Sequence, residues 1–284
     1  MMRSRRSRKG RTGYWIAAAV FIILTLLPLV WGFIISITPQ KEMFAPNVRF
    51  LPDHITWDNY KILFSAGSNE GTIFFAGMRN SIIAAVITTL ICIPVSFLSA
   101  YVLTRTRFPG RKLILNSMLI TMIIPVMATM APIYNLYSNH GLLDHMTWLC
   151  LIYVTAFLPV LIWLIGNYLD TIPEELEEAA MLDGCGRFQV LFHVILPIST
   201  PILLSSVLII VLSTWNEFQI PLILASSMKT KPIAIVASEF ASKDVVYYGM
   251  TAAAGMLSIL PTALLAIIFK KYLIRGMARG AVKG

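Results

Sequence analysis

DTIPEELEEAAMLDGCGRFQVLFHVILP, residues 170–197, is the only long polar segment in the back half of a very apolar chain. Thr171 followed three residues later by Glu174 fits a capping box, in which a hydroxyl and a carboxylate each satisfy an orphan backbone N–H, and Pro173 is tolerated in that first turn. A helix is expected to start there, with Glu174, Glu175, Glu177 and Glu178 near the positive end of its dipole and Ala179, Ala180, Met181 and Leu182 as good helix formers. Gly184 is the natural left-handed stop. After Gly186, the run RFQVLFHVIL places Phe188, Leu191, Phe192 and Ile195 at helical spacing, and Pro197 is expected to close the segment. The small side chains of Ala179 and Ala180 leave the backbone open to close approach by another protein. On local physics alone the stretch reads equally well as an amphipathic hairpin between two membrane helices.

Outward from this hairpin the chain is almost wholly apolar. Of 284 residues, 57% are hydrophobic and 13% charged, and the mean hydropathy is +0.75. That composition indicates a polytopic membrane protein rather than a soluble domain. Apolar runs long enough to cross a bilayer cover residues 198–224 and 250–269 downstream, and 148–169, 113–137, 81–103 and 14–37 upstream. The run at 113–137 carries Pro125 and Pro132, which a span tolerates where neighbouring helices or water satisfy the freed carbonyls. The first run is longer than a signal-peptide core and lacks a small-residue cleavage pattern, so it is expected to be retained. The predicted fold is all-α: one transmembrane domain over 1–284, with six membrane helices and a cytoplasmic helix-turn-helix loop at 170–197.

The formal charge of +9 does not point to nucleic acid, because the basic residues sit at the chain ends and in TRTRFPGRK, residues 104–112, rather than on an extended polar face. Six alternating spans put both termini, that loop and the 170–197 loop on one side, with 16 lysines and arginines against 7 on the other. The excess marks the cytoplasmic side, which leaves Asp144 and Lys243 outside. Cys92, Cys150 and Cys185 are far apart and predict no disulfide. The four histidines lack metal-ligand spacing. There is neither a G-x-x-x-x-G-K-[ST] loop to cradle phosphates nor a G-x-S-x-G nucleophile turn, so no enzymatic activity and no bound cofactor are expected.

The order Glu178-Ala179-Ala180, three residues, Gly184, nine residues, then Val194-Ile195-Leu196-Pro197 resembles the EAA signature of the membrane subunits of binding-protein-dependent ABC importers. Val194 stands where that pattern usually has isoleucine. FLP followed by T-x-DNY at residues 50–60, WN-x-F at 215–218 and the ending RG-x-x-x-GAVKG are similar to the maltose-type carbohydrate permeases. The resemblance implies that 170–197 is a coupling element docking into a cleft on an ATP-hydrolysing subunit, through Glu178, Ala179, Ala180, Gly184, Leu196 and Pro197. It also implies a second homologous permease, two ATP-binding subunits that hold ATP and Mg, an extracytoplasmic solute-binding protein, and a bacterial-type inner membrane as the location.

For the solute path the expected residues are Trp215, Asn216 and Glu217. A helix begun at Ile198 lifts Glu217 about 30 Å across the bilayer, where charge is costly and faces a cavity, a partner or the interface. In the resembled permeases an aromatic stacks on a sugar ring and amides bond hydroxyls. The alternative is Glu217 snorkelling to the outer headgroups beside an interfacial tryptophan. Asn116 is placed on the same path, with interhelical hydrogen bonding as its alternative. A permease for a peptide or polyol shares every feature except the 213–224 segment. An ion-driven secondary transporter would show paired acidic residues near the midplane, and only Glu217 is available.

Overall fold

The computed structural model describes residues 8–44, 50–65, 67–241 and 247–280, with side chains from Gly13 to Phe269 within those ranges. Lys243 and the side chains of the basic residues at both chain ends fall outside them. The described residues form helices and no strands. In order these are α1 (Arg8–Ser36), α2 (Gln40–Met43), α3 (Asp58–Phe64), α4 (Asn69–Arg105), α5 (Arg111–Thr121), α6 (Val126–Asn139), α7 (Met146–Leu169), α8 (Glu175–Leu182), α9 (Arg187–Val190), α10 (Leu196–Asn216), α11 (Gln219–Leu224), α12 (Ile233–Glu239) and α13 (Tyr248–Gly280).

Among the described residues, five helical stretches are long and apolar enough to cross a membrane: 13–36, 69–105, 146–169, 187–216 and 248–269. The sixth expected span is not one helix. α5 and α6 meet at 96° across residues 122–125. Pro125, with φ −62° and ψ 128°, has no N–H to give and drives the preceding Ile124 out of the helical region. The span expected to reach residue 224 also stops early. α10 ends at Asn216, Glu217 is extended at ψ 123°, and α11 begins two residues later.

The chain forms two compact units, Met1–Thr72 with Ala237–Ile259, and Ile73–Val236 with Leu260–Gly284. In the first, the segment after α1 folds back on that helix's end. Ser36 Oγ and Tyr60 OH share a hydrogen bond of 2.7 Å, Asn59 Nδ2 donates to Ser36 O at 2.9 Å, and Thr56 N–H reaches Ile37 O at 2.8 Å. The Glu42 carboxylate receives Asp53 N–H and His54 Nδ1.

The second unit holds an apolar core towards each end, with a smaller cluster of Cys92, Val154, Leu161 and Ile210 besides. One joins Phe97, Ala100 and Leu103 of α4 to Ile162, Ile165 and Leu169 of α7 and to Val190, Ile195 and Ile202. The other joins Ala84 to Met130, Tyr137, Leu149, Cys150, Tyr153, Ile220 and Leu224. In lipid such helix contacts are held by close packing and hydrogen bonds rather than by exclusion of water. Tyr168 OH to Ile198 O at 3.1 Å and Tyr137 OH to Trp148 O at 3.2 Å supply two of those bonds.

Candidate functional site

The 170–197 stretch folds as a helix, a glycine turn and a second helix, with one local difference from the expected start. Thr171 Oγ1 donates back to Tyr168 O at 2.7 Å and caps nothing. α8 starts after Glu174 instead, whose carbonyl accepts Glu177 N–H at 2.9 Å, and its first turn keeps the acidic residues that suit the helix dipole. At the other end Gly184 adopts φ +91°. Gly184 N–H bonds Met181 O and Cys185 N–H bonds Ala180 O, the paired bonds of a Schellman stop, which satisfy the helix's last carbonyls. Gly186 N–H then bonds Gln189 Oε1 at 2.8 Å and starts α9.

Pro197 does not close the segment. α9 runs through a π turn, Leu191–Ile195, into α10, and residues 187–216 make one unbroken helix. Within a regular helix a proline leaves the carbonyl four residues back without a donor and presses its ring against it. The wider π turn, in which Leu196 N–H bonds Leu191 O, stands immediately before Pro197 and accommodates it. Leu196 and Pro197 therefore belong to the start of the membrane rod rather than to the turn.

The hairpin has two faces. Glu178 and Ala179 are exposed, and so are large apolar groups, Leu182 at 89% and Phe188 at 79%. Ala180 instead packs partly against the core of α4 and α7, together with Cys185. Glu177 is buried on that inner face. Its Oε1 lies 2.5 Å from Arg105 Nε, with both side chains under a tenth exposed, and its Oε2 accepts Tyr101 OH at 2.9 Å. Arg105 Nη2 donates to Leu169 O at 3.0 Å and Ile172 O at 2.8 Å. Reading the four glutamates as a block of dipole charges misses this pair. The available signal is that Glu177 lies three residues before Ala180, so the two share the face that turns inward.

The residues expected on a solute path are not brought together. Trp215 is buried and lines an apolar hollow of about 520 Å³ with Ile82, Ala85, Val86, Val211 and Leu264. Asn216 is exposed, and its Nδ2 turns back to Leu212 O at 2.8 Å. Glu217 accepts the N–H groups of Gln219 at 3.0 Å and Ile220 at 3.2 Å, capping α11 across the helix break. Asn116 lies elsewhere, lining a hollow of about 280 Å³ with Arg111, Trp163, Asn167 and Asp170, beside the base of the hairpin.

The far end of the same unit is tied by polar side chains. Asp144, at φ +60°, accepts Ser227 N–H at 2.9 Å and the hydroxyls of Ser227 and Thr230. Burial pushes its pKa up, but these hydrogen bonds outweigh that and hold the carboxyl below its ordinary value of 3.8. Asn80 Nδ2 donates at 3.0 Å to both Met228 O and Lys231 O, and Ser81 Oγ accepts Ile233 N–H at 2.9 Å.

Residues 92–279 match the family described as "Binding-protein-dependent transport system inner membrane component". The chain is 29% identical to the trehalose transport system permease protein SugB of Mycobacterium tuberculosis over 96% of this chain and 98% of that protein. It is 30% identical to the trehalose/maltose transport system permease protein MalG of Thermococcus litoralis over 95% of each. Its fold matches, with a TM-score of 0.74 at 23% identity, a chain of a bacterial ABC transporter involved in the import of the acidic polysaccharide alginate, covering 96% of this chain and 99% of that one.

Proposed function

The chain belongs to the family of inner membrane components of binding-protein-dependent transport systems, and on that premise we propose that it carries a sugar or oligosaccharide as one of two related permeases in an ATP-driven importer. The observation that carries the proposal is the hairpin: a rigid glycine-stopped turn that exposes Leu182 and Phe188 on one side and is anchored by a buried ion pair on the other. Exposed apolar groups of that size beside charged neighbours make a docking surface for another protein. One of two ATP-binding subunits, which hold ATP and Mg, occupies it, and the second permease receives the other. The chain itself hydrolyses no ATP and binds no cofactor.

The excess of lysine and arginine supports a cytoplasmic hairpin with both chain ends on its side. The opposite end of α4, with the loop tied by Asp144 and Asn80, then faces the solute-binding protein. Trp215, Asn216 and Glu217 lie at that end, and exposed Asn216 is the member free to meet a solute hydroxyl with its carbonyl oxygen. Trehalose, maltose, diacetylchitobiose, arabinooligosaccharides and sulfoquinovosyl glycerol in the relatives' names support a sugar or oligosaccharide as cargo.

The test is co-purification of the chain with its ATP-binding subunits and binding protein, followed by reconstitution in liposomes. Hydrolysis stimulated by binding protein loaded with trehalose or maltose, together with uptake of the same labelled sugar, is the expected result. Hydrolysis by the isolated chain, or uptake that needs an ion gradient and no ATP, would overturn the reading.

A further inference from the structure

The 170–197 hairpin is continuous in sequence with α7 on one side and α10 on the other, so both helices must follow it when it moves. No covalent connection ties it to α4. That helix meets the hairpin through apolar packing of Phe97, Ala100 and Leu103 and through one cluster of directed bonds, in which Arg105 reaches Glu177, Leu169 O and Ile172 O while Tyr101 reaches the second Glu177 oxygen. Apolar contacts are non-directional and can re-form between shifted partners, whereas a buried guanidinium–carboxylate pair separates only by leaving both charges unsatisfied. Arg105 is the last residue of α4, where positive charge is also favoured by the helix dipole.

Further back along α4, 25 residues and about 37 Å from Arg105 at ~1.5 Å per residue, Asn80 and Ser81 hold residues 228–233 by three hydrogen bonds. Among the described residues α4 is therefore fastened at its last residue to the hairpin and, about three turns in from its start, to the loop after α11.

We infer that Arg105 and Glu177 are positioning residues for coupling: their ion pair makes α4 travel with the hairpin and carries that displacement to the 228–233 loop. The inference rests on the function proposed above. It goes beyond that function in naming α4, which no adjoining stretch of backbone ties to the hairpin, as a relay between the ATP-binding subunits and the binding protein. Coupling along such a chain of contacts is established by a measured interaction and not by adjacency alone, and the pair offers one.

The experiment uses the assembled transporter in liposomes, with the unmodified complex as reference. Stimulation by that reference tests the proposed function, and the variants relative to it test the relay. Glu177→Gln keeps the shape and an acceptor for Tyr101 and removes only the charge. The paired change Arg105→Met with Glu177→Met removes both charges and leaves no buried ion unpaired, so it preserves assembly. Each is expected to retain the ATP-binding subunits on purification, while the ratio of stimulated to basal hydrolysis falls at least fivefold in the paired variant and about threefold in Glu177→Gln. Hydrogen exchange at residues 228–233 should rise when the pair is removed. A role confined to stability would instead leave the assembled paired variant fully stimulated, because no buried charge is left unpaired. An unchanged ratio in either assembled variant, with unchanged exchange at 228–233, overturns the relay.

Discussion

The Asp144 carboxylate accepts the backbone N–H of Ser227 at 2.9 Å, joining the turn between α6 and α7 to the loop after α11 across 83 residues of sequence. Two hydroxyls complete the site, and Asp144 tolerates φ +60° as aspartates do. Asp144→Ala removes the acceptor of three bonds and should cost about 1–3 kcal/mol, read as a lower Tm in detergent. The pH dependence has a definite sign. A carboxyl held below its unfolded value contributes stability at neutral pH, and that contribution disappears as pH falls below about 4 and through the folded pKa. Thermal unfolding should therefore be insensitive to Asp144 titration between pH 6 and 8, and the gap between parent and Asp144→Ala should close on acidification. A gap that widens below pH 4 contradicts this.

Gly184 is the second test. Its φ of +91° excludes a β-branched residue at a cost of about 1–2 kcal/mol and with redirection of α9. Nothing lies within 4 Å of where a Cβ would sit, so the penalty is conformational and not steric. Gly184→Asn should behave almost as the parent and Gly184→Val should insert normally but lose the ATP-binding subunits on purification. Full retention by Gly184→Val would make the hairpin a mere connector.

The two alanines should separate. Ala179 is exposed and Ala180 packs partly inward. Ala179→Trp is expected to leave the fold intact and abolish docking, as should Leu182→Asp with Phe188→Asp. Ala180→Trp overpacks the junction with α4 and should lower Tm, at about 1–3 kcal/mol. Charge reversal at exposed Glu174 should change either property by little, since a solvated ion pair contributes ~0–1 kcal/mol. Pull-down of the ATP-binding subunits and thermal unfolding, run on the same preparations, distinguish the outcomes.

For the 213–224 segment, capping and transport make different demands. Glu217→Ala removes the oxygen that accepts two N–H groups at the start of α11 and should cost about 0.5–2 kcal/mol in stability. Asn216→Ala touches only a bond to its own helix, so its Tm should be unchanged while uptake of labelled trehalose or maltose falls severalfold. Unchanged uptake removes Asn216 from the path.

Much of this architecture is legible in the sequence because it is local. Apolar length gives five of the spans, helical spacing gives α8 and α9, and Gly184 announces a left-handed stop. The relationships that need tertiary context are not legible. Pro125 reads as a kink, and whether a proline bends a span or breaks it by 96° depends on what else supports the chain there. Glu177 is one glutamate among four until its partner 72 residues away is known, and Arg105 reads only as a topology charge. Asn116 and Trp215 share an apolar environment in sequence yet line different hollows. Glu217 reads as a costly intramembrane charge because a helix break at Asn216 is invisible in an apolar run.

The π turn before Pro197 also gives the molecule leverage. With the proline accommodated, residues 187–216 form a single shaft of about 45 Å at ~1.5 Å per residue that begins in the hairpin and ends at the break before Glu217. A tilt of about 5° at its base would swing the tip by about 4 Å at that shaft length. A modest push at the hairpin is thereby magnified at the far side of the bilayer, where α11 begins.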